Sequence, residues 1–145
     1  MIVLKFGGTS VASAESLSFV KEIVQRNYSQ KKKQVVVVSA LGGITNSLVD
    51  ISHLAAAGNE YYVDLFNEIE QRHLQLCNEI IPLVNRSATL TQTKVLLNDL
   101  EDILRGLFLV GELSPRSSDL VLSLGERLSS AIIAAFLSED IPKTI

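Results

Sequence analysis

Ile2-Val3-Leu4-Lys5-Phe6-Gly7-Gly8-Thr9-Ser10 opens the chain with a short hydrophobic run, a glycine pair and a polar step. The run predicts a strand, Gly7-Gly8 a tight turn, and Thr9-Ser10 the approach to a helix with Leu17, Val20 and Val24 on one face. Outward from there the unit repeats. The connector Lys31-Lys32-Lys33-Gln34 leads into Val35-Val36-Val37-Val38, a β-branched run without alternation. Such a run predicts a strand covered on both faces in a parallel sheet. A second glycine pair, Gly42-Gly43, follows at once. Two strands joined through a helix, each ending in a glycine turn before another helix, predict an α/β fold. Its sheet is open and mainly parallel, with flanking helices and a right-handed crossover.

From Thr45 to about Ile81 the pattern is helical: Tyr62, Phe66, Ile69, His73, Leu76 and Ile80 fall three or four apart until Pro82 ends the stripe. A further helix carries Leu96, Leu100, Ile103 and Leu107 at the same spacing. Ser114-Pro115 then has the form of an N-cap followed by proline in the first turn. The last helical region holds Leu120, Leu124, Leu128 and Ile132, interrupted by Gly125. Pro142-Lys143-Thr144-Ile145 is expected to lead from that helix into another strand. There is no internal repeat or low-complexity linker, and the sequence looks cut from something longer.

The 145 residues are 47% hydrophobic and 20% charged, which suits one domain with a core of its own. A net charge of −3 gives no basic field to draw nucleic acid or an anionic membrane. No stretch is expected to cross a bilayer or act as a signal peptide, so the predicted location is cytoplasmic. Cys77 is the only cysteine, which rules out an internal disulfide and a multi-cysteine zinc site. His53 and His73, the two histidines, are read as helix residues, and Cys77 as packing.

Chemistry concentrates at three places. Lys5 ends a strand, where an open α/β sheet binds its ligands. Gly7 and Gly8 let backbone approach phosphate oxygens, and amides at the next helix start can donate to them. This is not a Walker motif, because the lysine precedes the glycines. Taken alone, Lys5 could merely snorkel and the glycines merely turn the chain. The second place is Ser39-Ala40-Leu41-Gly42-Gly43-Ile44-Thr45-Asn46, expected on the same side of the sheet because both strands run the same way. By themselves Ser39 and Thr45 would more often be helix caps than ligand contacts. The third is Glu126, a carboxylate beside Gly125 in an apolar helix. It could face a substrate ammonium group, or be a solvated helix acid paired with Arg127.

Lys5 to Ser10, Ser39 to Asn46 and Gly125-Glu126 together resemble the aspartate kinases of the amino-acid kinase family, over the whole chain. Glutamate 5-kinase, acetylglutamate kinase and uridylate kinase share the lysine and the glycine turns. The Thr45-Asn46 and Gly125-Glu126 pairs resemble the aspartate kinases in particular. Leu41-Gly42-Gly43-Ile44 and Leu113-Ser114-Pro115 look most like the form fused to homoserine dehydrogenase. The resemblance implies transfer of the γ-phosphoryl group of ATP, with Mg²⁺, to the β-carboxylate of L-aspartate, which opens lysine, threonine and methionine biosynthesis. Lys5 would be catalytic; Lys5, Phe6, Gly7, Gly8, Ser10, Gly42 and Gly43 would bind the nucleotide phosphates; Ser39, Thr45 and Glu126 would hold aspartate. No residue is assigned to a metal. Residues 1–145 would be the amino-terminal, substrate-binding part of the catalytic domain. The nucleotide-binding half and the allosteric regulatory domains would lie beyond it, and the fragment is expected to be inactive alone. The full-length enzyme would be a homo-oligomer. The alternatives are a family member acting on another carboxylate, and a non-catalytic oligomerisation module. A carboxylate acceptor with a reference pKa of ~3.9 is already ionised at neutral pH, so the reaction needs no general base.

Overall fold

A computed structural model of the chain describes residues 1–141. Ile2–Phe6 forms β1 and Gln34–Val38 forms β2, and the two pair in parallel from Ile2 opposite Gln34 to Phe6 opposite Val38. Between them runs α1, Ala14–Ser29, with Leu17, Val20 and Val24 buried as the spacing predicts. The helix starts later than Thr9-Ser10 suggests. Gly8–Val11 is a 3₁₀ turn, and Ser13 forms a capping box with Ser16 that fixes the first α-helical turn at Ala14.

The helical stretch from Thr45 is two helices, not one. α2 (Ile44–Ala56) stops where Gly58 takes φ +68°, with Gly58 N–H donating to Ala55 O and Asn59 N–H to Leu54 O. Those two bonds are a Schellman motif, which satisfies carbonyls at the helix end and turns the chain. α3 (Tyr62–Ile80) then buries Phe66, Ile69, His73, Leu76 and Ile80, while Tyr62 meets Phe108 with ring centroids 5.4 Å apart. α4 (Leu83–Val110) buries Leu96, Leu100, Leu104 and Leu107 and closes on Gly111 at φ +71°. α5 (Pro115–Leu137) is capped by Ser114, whose hydroxyl accepts from Ser117 N–H, with Pro115 in its first turn as expected.

Three expectations about packing need correction. β2 is not covered on both faces: Val35 and Val37 are 44% and 42% exposed, while Val36 and Val38 pack on the core. Among the described residues the sheet has two strands, and Val3, Lys5, Val35 and Val37 share its uncovered face. Gly125 does not interrupt α5, which is continuous and fully inward there. Its stripe runs through Val121, Leu124, Leu128 and Ile132, leaving Leu120 47% exposed.

α5 is also long and apolar enough to cross a membrane, contrary to the expectation for every stretch: its 23 residues include a window of mean hydropathy 1.6. Half of that window is buried inside the fold, and the helix packs on α2, α4 and β2. Its apolarity matches that of a core helix. Lys21 joins α1 to the end of α5, with Nζ 3.4 Å from Glu139, 2.5 Å from Asp140 and 4.4 Å above the Phe136 ring. The expected strand around Pro142 to Ile145 lies outside the described residues.

Candidate active site

Parallel pairing sets the ends of β1 and β2 side by side, and the backbone continues that register past them: Ser39 N–H donates to Phe6 O at 3.1 Å. The two glycine turns therefore leave the sheet together. They touch. A Cβ at Gly8 would lie 3.3 Å from Ala40 O and 3.5 Å from Gly42 Cα, and one at Gly42 would lie 3.1 Å from Gly8 O. A side chain at Gly8 or Gly42 would therefore press on the backbone of the other turn, and at Gly42 also on Ala12 Cβ at 3.0 Å. Gly7 is different, because nothing lies within 4 Å of its missing Cβ and its φ of −77° suits any residue. Gly43 caps α2 at φ +85°, the left-handed region that favours glycine.

Neither Ser39 nor Thr45 acts as a helix cap. Gly43 occupies that position with no side-chain bond, so the Thr45 and Asn46 amides in the first turn of α2 are not capped by a side chain. Thr45 is exposed and Ser39 half-buried. Ser10, half-buried in the 3₁₀ turn, donates its N–H to Gly7 O at 3.0 Å. Phe6 is half-buried at the end of β1. Lys5 stands one residue earlier on the exposed side of the strand, opposite Val37 in the register. Lys5 forms no ion pair among the described residues.

α5 is locked onto the second turn at one place. A Cβ at Gly125 would lie 2.9 Å from both Ala40 Cβ and Leu48 Cδ1, so only glycine lets the helix come this close. One turn on, Ser129 Oγ donates to Ser39 O at 2.8 Å. Glu126, between them in sequence, is exposed and forms no ion pair with Arg127 or any other described residue. Two residues here escape sequence reasoning. Ser129 leaves a faint trace, as a polar side chain on the buried face of an apolar helix. Arg72 leaves none: it sits on the exposed side of α3, yet its Nη1 lies 3.7 Å from the Cβ position of Gly43.

His73 and Cys77 are both fully buried. Burial lowers the His73 pKa from 6.5; the bond from Nδ1 to Ile69 O opposes this, and the nearby Arg72 charge adds to it. Burial likewise raises the Cys77 thiol, which lies 3.6 Å from Thr93 Oγ1. Both are structural, as the sequence suggested, and far from a reactive form. In the unfolded chain His73 binds a proton below about 6.5, whereas in the folded chain it stays neutral to lower pH. Stability is therefore fully present above that value and is lost as pH falls through it. The urea midpoint of the wild type is expected to fall more between pH 7.5 and 5.5 than that of His73→Met; equal falls would contradict this account.

The amino acid kinase family profile matches residues 1–142. This chain belongs to the amino acid kinase family. Aspartokinase 1, chloroplastic, of Arabidopsis thaliana is 33% identical over 139 residues, covering 94% of this chain and 23% of that protein. Among solved structures, E. coli aspartokinase III in complex with lysine and aspartate in the T-state superposes with a TM-score of 0.80 at 28% identity, over 96% of this chain and 29% of that one. The R-state of the same enzyme, with aspartate and ADP, gives 0.77. The chain spans about a quarter of the length of these relatives. The aspartokinase resemblance seen in the motifs and the amino-acid kinase fold both hold.

Proposed function

We propose that this chain is the acceptor-binding part of an aspartate kinase, forming residues 1–145 of a catalytic domain whose nucleotide-binding half lies elsewhere in the full-length protein. The observation that carries this reading is the contact between the Gly7-Gly8 and Gly42-Gly43 turns at the ends of two parallel strands. It brings the Lys5 to Ser10 segment beside the Ser39 to Asn46 segment, which carries the Thr45-Asn46 pair that resembles the aspartate kinases in particular. Relatives solved with aspartate and with ADP support the two substrates.

In the reaction, an oxygen of the aspartate β-carboxylate attacks the γ-phosphorus of ATP. A new P–O bond forms as the bond to the β–γ bridging oxygen breaks, and ADP leaves with that electron pair. The acceptor is already an anion, so the protein's task is to align two anions and screen their repulsion. Lys5 supplies positive charge at the strand end. The amides of Gly7, Gly8 and the Gly42-Gly43 turn offer donors to phosphate oxygens, and Ser10, whose N–H is taken by Gly7 O, offers its hydroxyl, with Phe6 fixing the strand end through Ser39. Ser39 and Thr45 hold the acceptor, and Glu126 faces its ammonium group. Mg²⁺, bound with the nucleotide, would add further charge screening; among the described residues no group of three or more His, Cys, Asp or Glu side chains is placed to hold a metal, and no step is assigned to one. The buried packing of α5 supports a water-soluble enzyme, which we assign to the cytoplasm.

A coupled assay of ADP formation by the full-length protein tests the acceptor, with aspartate, glutamate, acetylglutamate and uridylate compared. Marked preference for aspartate is expected, and equal or greater turnover of another acceptor would overturn the assignment. Gly7→Ala separates ligand approach from packing. Its Cβ meets nothing, so the thermal midpoint should stay within about 2 °C of wild type. The KM for ATP should rise several-fold, by roughly the ~1 kcal/mol expected when one amide contact is obstructed. An unchanged KM would remove Gly7 from the phosphate site.

A further inference from the structure

Glu126 and Ser39, which the proposed function assigns to the acceptor, lie on different elements 87 residues apart in sequence, and something must fix their separation. The Ser129 hydroxyl reaches both. It is fully buried, with Oγ 2.8 Å from Ser39 O and 3.1 Å from Glu126 O. One hydroxyl proton serves the two carbonyls as a shared or alternating bond, with the shorter contact to Ser39. Gly125, four residues earlier on the same face of α5, lets the helix approach until Ala40 lies in van der Waals contact. Glu126 is one residue on from Gly125 and therefore stands at the rim of this contact, exposed.

We propose that Ser129 is a positioning residue for the acceptor: its buried hydroxyl ties the end of β2 to α5 and so sets Glu126 relative to Ser39. The inference rests on the reading of this site as an acceptor site and adds to it a residue that touches neither substrate. Other buried hydroxyls do something different. Ser52 on α2, only 2% exposed, donates to Leu48 O at 2.7 Å within its own helix and joins no second element. Thr93 donates to Thr89 O in α4 and also meets Cys77 Sγ at 3.6 Å, so it joins two helices and not a strand end to α5. Ser52 is therefore a matched control for losing a buried hydroxyl.

Steady-state kinetics of the full-length enzyme provide the test, using Ser129→Ala, Ser129→Thr and Ser52→Ala. Ser129→Ala should raise the KM for aspartate about tenfold while the KM for ATP stays within about twofold. Ser129→Thr keeps a hydroxyl and should recover most of the acceptor affinity, and Ser52→Ala should alter neither constant. An unchanged aspartate KM in Ser129→Ala would overturn the proposal, as would equal rises in both constants shared by Ser52→Ala, which is the signature of general loosening. Should the wild type prefer a different acceptor, the functional reading fails by itself, and the same variants measured on that acceptor still decide the role of Ser129.

Discussion

Lys5→Ala in the full-length enzyme is expected to lower kcat by about 10²–10³-fold, the usual cost of removing one preorganised charge from a transition state. The fold should not change. Lys5 is exposed, makes no ion pair among the described residues, and belongs to β1 through its backbone. A solvated lysine that merely snorkels would lose nothing measurable on truncation. Lys5→Arg tests the same point from the other side, because a guanidinium keeps the charge and changes the geometry. It should retain more activity than alanine and less than lysine. Wild-type kcat in Lys5→Ala would remove this residue from the mechanism.

Gly125→Val is expected to destabilise the protein by about 3 kcal/mol, at the upper end of overpacking costs. The alanine variant shows which effect wins. In a solvated helix, glycine to alanine gains about 1 kcal/mol of helix propensity. Here the new Cβ would lie 2.9 Å from Ala40 Cβ and from Leu48 Cδ1. Leu48 can rotate its end away, but Ala40 Cβ is fixed to backbone that must move with it. Overpacking at about 1–3 kcal/mol should therefore outweigh the propensity gain. Because that movement displaces Ser39 and Glu126 together, the aspartate KM should rise as well. A stabilised Gly125→Ala enzyme with an unaltered KM would show that the α5 contact is looser than described.

The parts of the fold written in local chemistry were legible. The apolar run Ile2–Phe6 meeting Gly7-Gly8 is a strand and turn, and the three-four spacing of Phe66, Ile69, His73, Leu76 and Ile80 is the buried face of one helix. The break at Gly58 was hidden because the apolar spacing runs on across it, although Ala57-Gly58-Asn59 has the chemistry of a helix stop. Gly125 misled for a related reason. In an isolated helix glycine is a weak point, and only the neighbouring Ala40 and Leu48, far away in sequence, turn it into a packing requirement. The open face of β2 was illegible for the same cause, since four consecutive valines describe a strand without saying how many helices cover it.

The candidate site divides along the same line. Gly8 and Gly42 stand at strand ends, so parallel pairing was enough to bring them together. Ser129 meets Ser39 across 90 positions, and Arg72 approaches Gly43 from a different helix, so neither contact has a local signature.

The most direct measurement is to trap the product. Full-length protein incubated with ATP, aspartate and hydroxylamine should yield aspartyl β-hydroxamate, because an acyl phosphate on the side chain reacts with that nucleophile. Lys5→Ala should form it far more slowly. ADP release without any hydroxamate, or hydroxamate formed as readily from glutamate as from aspartate, would contradict the account.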